Sequence, residues 1–333
     1  MKKVLVLLLI LVFSLSFVAC ANTAAPATTG TTTQAATTAA PSDTTATTQP
    51  GAEKRTFAVV YPIIHPFFEG TTQGAEDTAK ELGVDVIVKG PDKFDVQQQI
   101  EIVENLIAMK VDGFAIGATD ATALKPLIDK AMDQGIKVVT FDTDSPDSKR
   151  LGYIGTDNVK AGNNMGEVLG RLLNGKGKVL VSMGVPTALN LNQRLDGVKQ
   201  VLKEKYPEIV IIDEQSGQGD PQKTLANIED MVNAHTDFDA LIGIDAAAGP
   251  AAVVVWKAKG LKQLVITFDD TEDIIQGVRD GQITVTIAQQ QYKWGVDIIK
   301  ALNDACDGKE ILKFNDTGTR EVSKDNVDEL YPK

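Results

Sequence analysis

From Thr56 onward, short apolar runs alternate with amphipathic stretches, and this beat organises the chain. Thr56 to Tyr61 and Val84 to Val88 read as strands on either side of the helical stretch Phe67 to Leu82. The strand signal returns at Gly113 to Gly117, Lys137 to Phe141, Lys178 to Val181, Ile209 to Ile212, Ala240 to Ile244, Leu264 to Phe268 and Ile283 to Gln289. Apolar strands separated by amphipathic helices mean parallel sheets covered on both faces. About ten strands are too many for one comfortable twisted sheet, so the pattern predicts an α/β fold with two sheets. Ligands of doubly wound sheets bind beyond the carboxyl ends of the strands. The residues just after each apolar run therefore matter most. Here they are polar or aromatic: Tyr61 leads to His65-Pro66-Phe67-Phe68, Phe141 to Asp142, Ile244 to Asp245, Phe268 to Asp269 and Ala288 to Gln289.

The pattern ahead of Thr56 is of another kind. Lys2 and Lys3 precede a mostly apolar run from Val4 to Ala19, interrupted only by Ser14 and Ser16, which ends at Cys20. That is the layout of an export signal cleaved just before a cysteine, and it resembles the lipobox of bacterial lipoproteins, with Phe17 where leucine is usual. A membrane span needs about 20 apolar residues, and this run is shorter. The expectation is a signal peptide over 1–19 and a lipidated Cys20 of palmitate type, which anchors the chain on the extracytoplasmic face of the cell membrane. Residues 20–55 read as a disordered tether of Ala, Thr, Pro, Gly and Gln. Asp43 is the only charge between Ala21 and Ala52, and such a stretch cannot bury enough apolar surface to offset chain entropy. As a flexible coil it reaches roughly 30 Å.

Composition narrows the partners. The formal net charge of −12 becomes −14 without Lys2 and Lys3, an acidic balance that argues against nucleic-acid binding. Outside the membrane, intracellular ATP and NAD are not natural partners, and no cofactor is expected. With Cys20 taken by lipid, Cys306 has no disulfide partner. It falls in the helical pattern Val296-Ile299-Leu302-Cys306 and reads as a buried structural thiol. Gly170 to Lys176 imitates a phosphate loop, but Gly177 stands where Ser or Thr should hold magnesium, and the segment precedes a strand. His65 has only His235 for company, which leaves no metal site.

Six motifs then follow in order: Pro66-Phe67-Phe68, Thr140-Phe141-Asp142, Tyr153-Ile154-Gly155-Thr156-Asp157-Asn158, Gln193-Arg194-Leu195-Asp196-Gly197, Phe268-Asp269 and Thr286-Ile287-Ala288-Gln289. With them the chain resembles the periplasmic sugar-binding proteins of the ribose-binding type, the ligand-capturing subunits of ABC importers, from Thr56 to about Arg320. The run Asp142 to Ser148, followed by Tyr153 to Asn158, is similar to members assigned to glucose or xylose. The resemblance implies the periplasmic binding protein type I fold: two doubly wound parallel-sheet lobes joined by a three-stranded hinge. It implies chain crossings near Thr156, Gln290 and Asn315. Residues 56–156 with 290–315 then form the N-terminal lobe, and 157–289 with 316–333 the C-terminal lobe. It also implies a monomer that closes over its ligand and hands it to a membrane permease.

A sugar offers hydroxyls that donate and accept, and C–H faces that lie on aromatic rings. Asp142, Asp245 and Asp269 would accept, Gln289 would do both, Arg194 would donate, and Phe67 or Phe68 would stack. Asn190, four residues before Arg194, would share its helix face. His65 stands where the ribose-binding pattern has asparagine, Gly117 where another asparagine contacts the sugar, Thr143 where a second arginine binds, and Gly219 where a second aromatic wall stands. These departures point away from ribose. Three acids against one arginine disfavour an anionic ligand, so the expectation is a neutral aldose or polyol, with a nucleoside or a cationic amine as alternatives.

Plainer roles exist for the same residues: the aspartates as helix caps, Arg194 as a solvated helix charge, Phe67 and Phe68 as core packing, His235 as a helix end. An exported hydrolase is the competing class, but the chain has no Gly-x-Ser-x-Gly elbow, no histidine suited to a nucleophile and no metal cluster. A signalling receptor without a transport role is the other alternative.

Overall fold

The computed structural model describes residues 54–332. The export signal, Cys20 and the tether through Glu53 lie outside the described residues. The chain runs β1 (Thr56–Val60), α1 (Glu69–Leu82), β2 (Asp85–Lys89), α2 (Val96–Met109), β3 (Gly113–Ile116), α3 (Ala121–Asp133), β4 (Lys137–Phe141) and β5 (Tyr153–Gly155). It continues through α4 (Asn158–Leu172), β6 (Lys176–Met183), α5 (Leu189–Lys205), β7 (Glu208–Ser216), α6 (Pro221–Ala234), β8 (Ala240–Gly243), α7 (Ala248–Lys259), β9 (Leu264–Phe268), α8 (Glu272–Asp280) and β10 (Val285–Ala288). It ends with α9 (Gln291–Cys306), β11 (Phe314–Asp316), β12 (Arg320–Ser323) and α10 (Val327–Leu330).

Two six-stranded sheets result, in the orders β11-β5-β4-β3-β1-β2 and β12-β10-β9-β8-β6-β7. Without the edge strands β11 and β12, both follow the doubly wound order 2-1-3-4-5, so each lobe aims the carboxyl ends of its strands at a switch point. All pairs are parallel except β10 with β12, which is antiparallel. The central strands β1, β3, β4, β8, β9 and β10 are buried almost throughout, because helices cover both faces. Aspartates 95, 120, 157 and 220 each accept a backbone N–H at the start of α2, α3, α4 or α6, a capping contribution of about 1 kcal/mol apiece.

The apolar beat located the long strands but not β5, β11 and β12. Three- and four-residue strands are too short to show a period, and β11 is largely exposed. The resemblance placed chain crossings beside β5 and β11, and nothing in the sequence marked β12. The chain passes between the sheets after β5, after β10 and after β11, with Asp316 still in the first sheet. Cys306 also differs from expectation. It is the last residue of α9 and only half-buried, because the helix ends beside a surface hollow lined by Arg55, Lys110, Asp112 and Lys137. Burial pushes its thiol pKa up, which suits an inert side chain.

One buried side chain ties the first lobe's strand ends together. Gln99 on α2 is fully buried; its amide donates to the carbonyls of Tyr61 (3.0 Å) and Gly117 (2.7 Å) and accepts from the Thr119 N–H (2.9 Å). Gln99→Leu would orphan three buried backbone groups at about 1–3 kcal/mol each, softened by local relaxation. The expected loss of stability is about 3 kcal/mol in urea unfolding; a change below about 1 kcal/mol would mean water replaces the amide without penalty.

Candidate functional site

The carboxyl ends of β4, β8, β9 and β10 place Asp142, Asp245, Asp269 and Gln289 as the sequence suggested. Asp142 and Asp269 occupy equivalent positions after β4 and β9, and both hold left-handed backbone with φ of 54° and 74°. Non-glycine residues adopt that conformation at a cost, and it gathers at functional sites. Neither carboxylate caps a helix. Asp142 Oδ1 accepts from Asn190 Nδ2 at 3.1 Å, and Asp269 Oδ1 accepts from Gln289 Nε2 at 2.8 Å. Asp245 is different: its Oδ1 accepts the Ala248 N–H at the start of α7 at 3.3 Å, so the capping role is realised there.

Arg194 is the centre of the arrangement. It is only 2% exposed, which rules out a solvated helix charge. Its Nε donates to Asn158 Oδ1 at 2.8 Å, one terminal nitrogen to the Ile244 carbonyl at 3.2 Å and the other to Gln289 Oε1 at 3.0 Å. Its guanidinium carbon lies 4.2 Å from the centre of the Phe268 ring, a cation–π geometry. A close helix crossing delivers it there. At Gly162 on α4 a Cβ would meet the Arg194 carbonyl oxygen at 2.0 Å, and at Gly197 on α5 a Cβ would meet the Val159 carbonyl oxygen at 2.4 Å. Without those glycines α5 would stand away from α4, and the guanidinium would miss Asn158. Asn190 lies one turn earlier on the same buried face of α5.

Arg194, Asn158, Thr156 and Gln289 form one hydrogen-bonded unit at the hinge. Thr156 Oγ1 donates to Gln289 Oε1 at 2.6 Å, Asn158 Nδ2 donates to the Thr156 carbonyl at 3.0 Å, and Tyr153 Oη donates to the carbonyls of Asp142 and Thr156 at 3.0 and 2.9 Å. The Gln289 amide is thereby oriented, with its nitrogen toward Asp269. Reasoning from the sequence missed Tyr153, Thr156 and Asn158 as site residues. They lie within a quoted motif, but nothing local marks their side chains as inward-facing.

Burial raises the acids. Desolvation pushes Asp142 and Asp245 up to about 6 and Asp269 up to about 7, with the positive charge of Arg194 pulling each back. His65 caps the turn Pro66–Phe68 by accepting the Phe67 N–H on Nδ1 at 3.1 Å, and burial lowers its pKa, so it stays neutral at pH 7. Phe67 and Phe68 belong to an aromatic core. Phe68 stacks on Tyr61 at 4.5 Å, and Phe67 meets Phe68 and Trp294 edge-on at 4.9 and 5.8 Å. Ala246 of the second lobe packs against that same cluster, so the lobes meet across the cleft. No group of potential metal ligands occurs among the described residues.

Two lobes with strand ends facing one closed polar cleft define a ligand-capturing binding protein of type I. Residues 57–310 match the periplasmic binding protein domain family, and the chain belongs to it. It is 28% identical over 263 residues to a ribose import binding protein of Bacillus subtilis, covering 78% of this chain and 85% of that one. It is 32% identical to a D-ribose/D-allose-binding protein of Pseudomonas aeruginosa, covering 73% of this chain and 79% of that protein. Among solved structures, an ABC transporter solute-binding protein of Burkholderia graminis in complex with D-arabinose superposes with a TM-score of 0.79 at 33% identity, covering 84% of this chain and 98% of that one. Those two relatives are named for ribose and for ribose or allose, and the solved structure holds D-arabinose; the family and the fold are what this chain shares with them.

Proposed function

We propose that the chain captures a neutral monosaccharide, an aldose such as glucose or xylose or a related polyol, by closing its lobes, and delivers it to an ABC permease while held to the membrane by lipid on Cys20. The observation that carries this reading is the gathering of buried Asp142, Asp245 and Asp269 around the charge of Arg194, with Gln289 bonded to both Arg194 and Asp269 and Asn190 bonded to Asp142 from the other lobe. Carboxylates raised toward neutral pH accept sugar hydroxyls without demanding a charged ligand. An anion would meet three acids and one guanidinium, which burial makes costly.

The test is a thermal-shift panel on the full chain with D-glucose, D-xylose, D-ribose, D-arabinose, D-allose, inositol, uridine and spermidine. A ligand at about 100 times its dissociation constant adds about 2.7 kcal/mol. Stabilisation by an aldose or polyol, with none by uridine or spermidine, is the expected result; stabilisation by spermidine alone would replace the sugar with a cation. Mass spectrometry of the membrane-extracted chain should find acyl mass on Cys20, and a free thiol there would make the receptor a secreted one.

A further inference from the structure

The ribose-binding pattern has an aromatic wall in the second lobe where this chain has Gly219. The structure puts a ring at that spot from the other lobe. Phe94, in the segment between β2 and α2, lies so close to Gly219, between β7 and α6, that a Cβ on the glycine would sit 2.6 Å from Phe94 Cδ2 and 3.1 Å from Val185 Cγ2. The glycine is held open by its backbone. Gln218 and Gly219 have φ of 55° and 77°, and the Gly217 N–H and Gln218 N–H bond the Met183 and Gly184 carbonyls at the end of β6. On the other side, Asp95 caps α2 through the N–H groups of Gln97 and Gln98, which fixes the residue next to Phe94. A half-buried phenyl ring on one lobe thus meets a rigid, side-chain-free socket on the other. This contact exists only when the lobes are closed.

We propose that Phe94, seated on Gly219 and Val185, is the closing latch at the rim of the cleft, a positioning residue that sets how long a captured ligand stays. The ring supplies across the gap the apolar surface that the second lobe lacks, and the bare glycine is what admits it. A larger residue at 219 would hold the lobes apart. For ligand residence the inference rests on the sugar-binding reading; for lobe closure it does not.

Two measurements on the full chain separate these. The first is hydrogen–deuterium exchange without sugar. Phe94→Ala should raise exchange about tenfold both in 90–96 and in 184–186 and 217–220 of the opposite lobe. A rise confined to 90–96 would make Phe94 a local packing residue and overturn the latch. The second is stopped-flow release of whichever of D-glucose, D-xylose, D-ribose and D-arabinose gives the largest thermal shift. Phe94→Ala should release it about tenfold faster with association nearly unchanged, and Gly219→Ala should also speed release. Left-handed strain at 219 is the same in open and closed lobes, so it does not bias closure. The double variant should therefore release no faster than Phe94→Ala alone. Multiplying effects would show that the two residues act separately and would overturn the proposal. If no sugar binds, the exchange result still decides the latch while the sugar reading fails.

Discussion

Arg194→Ala should weaken sugar binding by about a hundredfold or more in titration calorimetry. The guanidinium donates in three directions, to Asn158, the Ile244 carbonyl and Gln289, and lies on Phe268. It is also the cation that pulls down the pKa values of Asp142, Asp245 and Asp269. Removing one member of a buried charge network costs about 3–5 kcal/mol, chiefly through the charges left behind, and each 1.4 kcal/mol is tenfold in affinity. Because the alanine variant also loses stability, Arg194→Lys is the sharper probe. It keeps the charge, but a point ammonium cannot reproduce a planar fork on an aromatic face. A folded lysine variant that binds more than tenfold weaker would locate the loss in geometry; one that binds like the parent would remove Arg194 from the site.

Asp269→Asn should stabilise the unliganded protein at pH 8 and weaken sugar binding by about a hundredfold. Burial raises this carboxyl to about 7 from an ordinary 3.8, so the folded state holds its proton more tightly than the unfolded state does. Stability from this group is complete below pH 4 and is lost as pH rises through about 7. The limiting size is about 4 kcal/mol for a shift of that extent, at about 1.4 kcal/mol per unit. Asparagine keeps the shape and the acceptor for Gln289 Nε2 but carries no charge to desolvate, so part of that cost disappears. A sugar hydroxyl that donates to the carboxylate favours its ionised form, so binding should release protons between about pH 5 and 8. Affinity should fall as pH is lowered through that window. Calorimetry in buffers of different ionisation heats reads the proton count directly. Proton uptake on binding, or an asparagine variant less stable at pH 8, would contradict this assignment.

The two acids that most shape these expectations were legible from position alone. Asp142 and Asp269 each follow an apolar run, and a residue just past a buried strand in a doubly wound sheet faces the ligand crevice. The same reasoning chose Asp245, and there the structure shows a carboxylate that also bonds the start of α7. Local sequence cannot separate the two roles, since a strand-end acid before a helix satisfies both. Phe67 and Phe68 show the same ambiguity: their rings are packed among Tyr61, Phe141 and Trp294, whose side chains come from three distant parts of the chain.

What the chain's own order determined was the alternation of buried strands with amphipathic helices, the doubling of that unit, and the chemistry waiting at the strand ends. These follow from periods of about 2 and 3.6 residues, which are local properties. Tertiary structure alone decided the rest. Thr156 meets Gln289 across 133 positions, and Asn190 meets Asp142 across 48; no pattern within a window of residues carries such a pairing. β5, β11 and β12 exist because neighbouring strands complete their hydrogen bonds, not because three or four residues prefer extension. The depth of Arg194 depends on two glycines that let α4 and α5 touch, and the place of Phe94 depends on a glycine in the other lobe. Packing between distant segments chooses among roles that the residues themselves leave open.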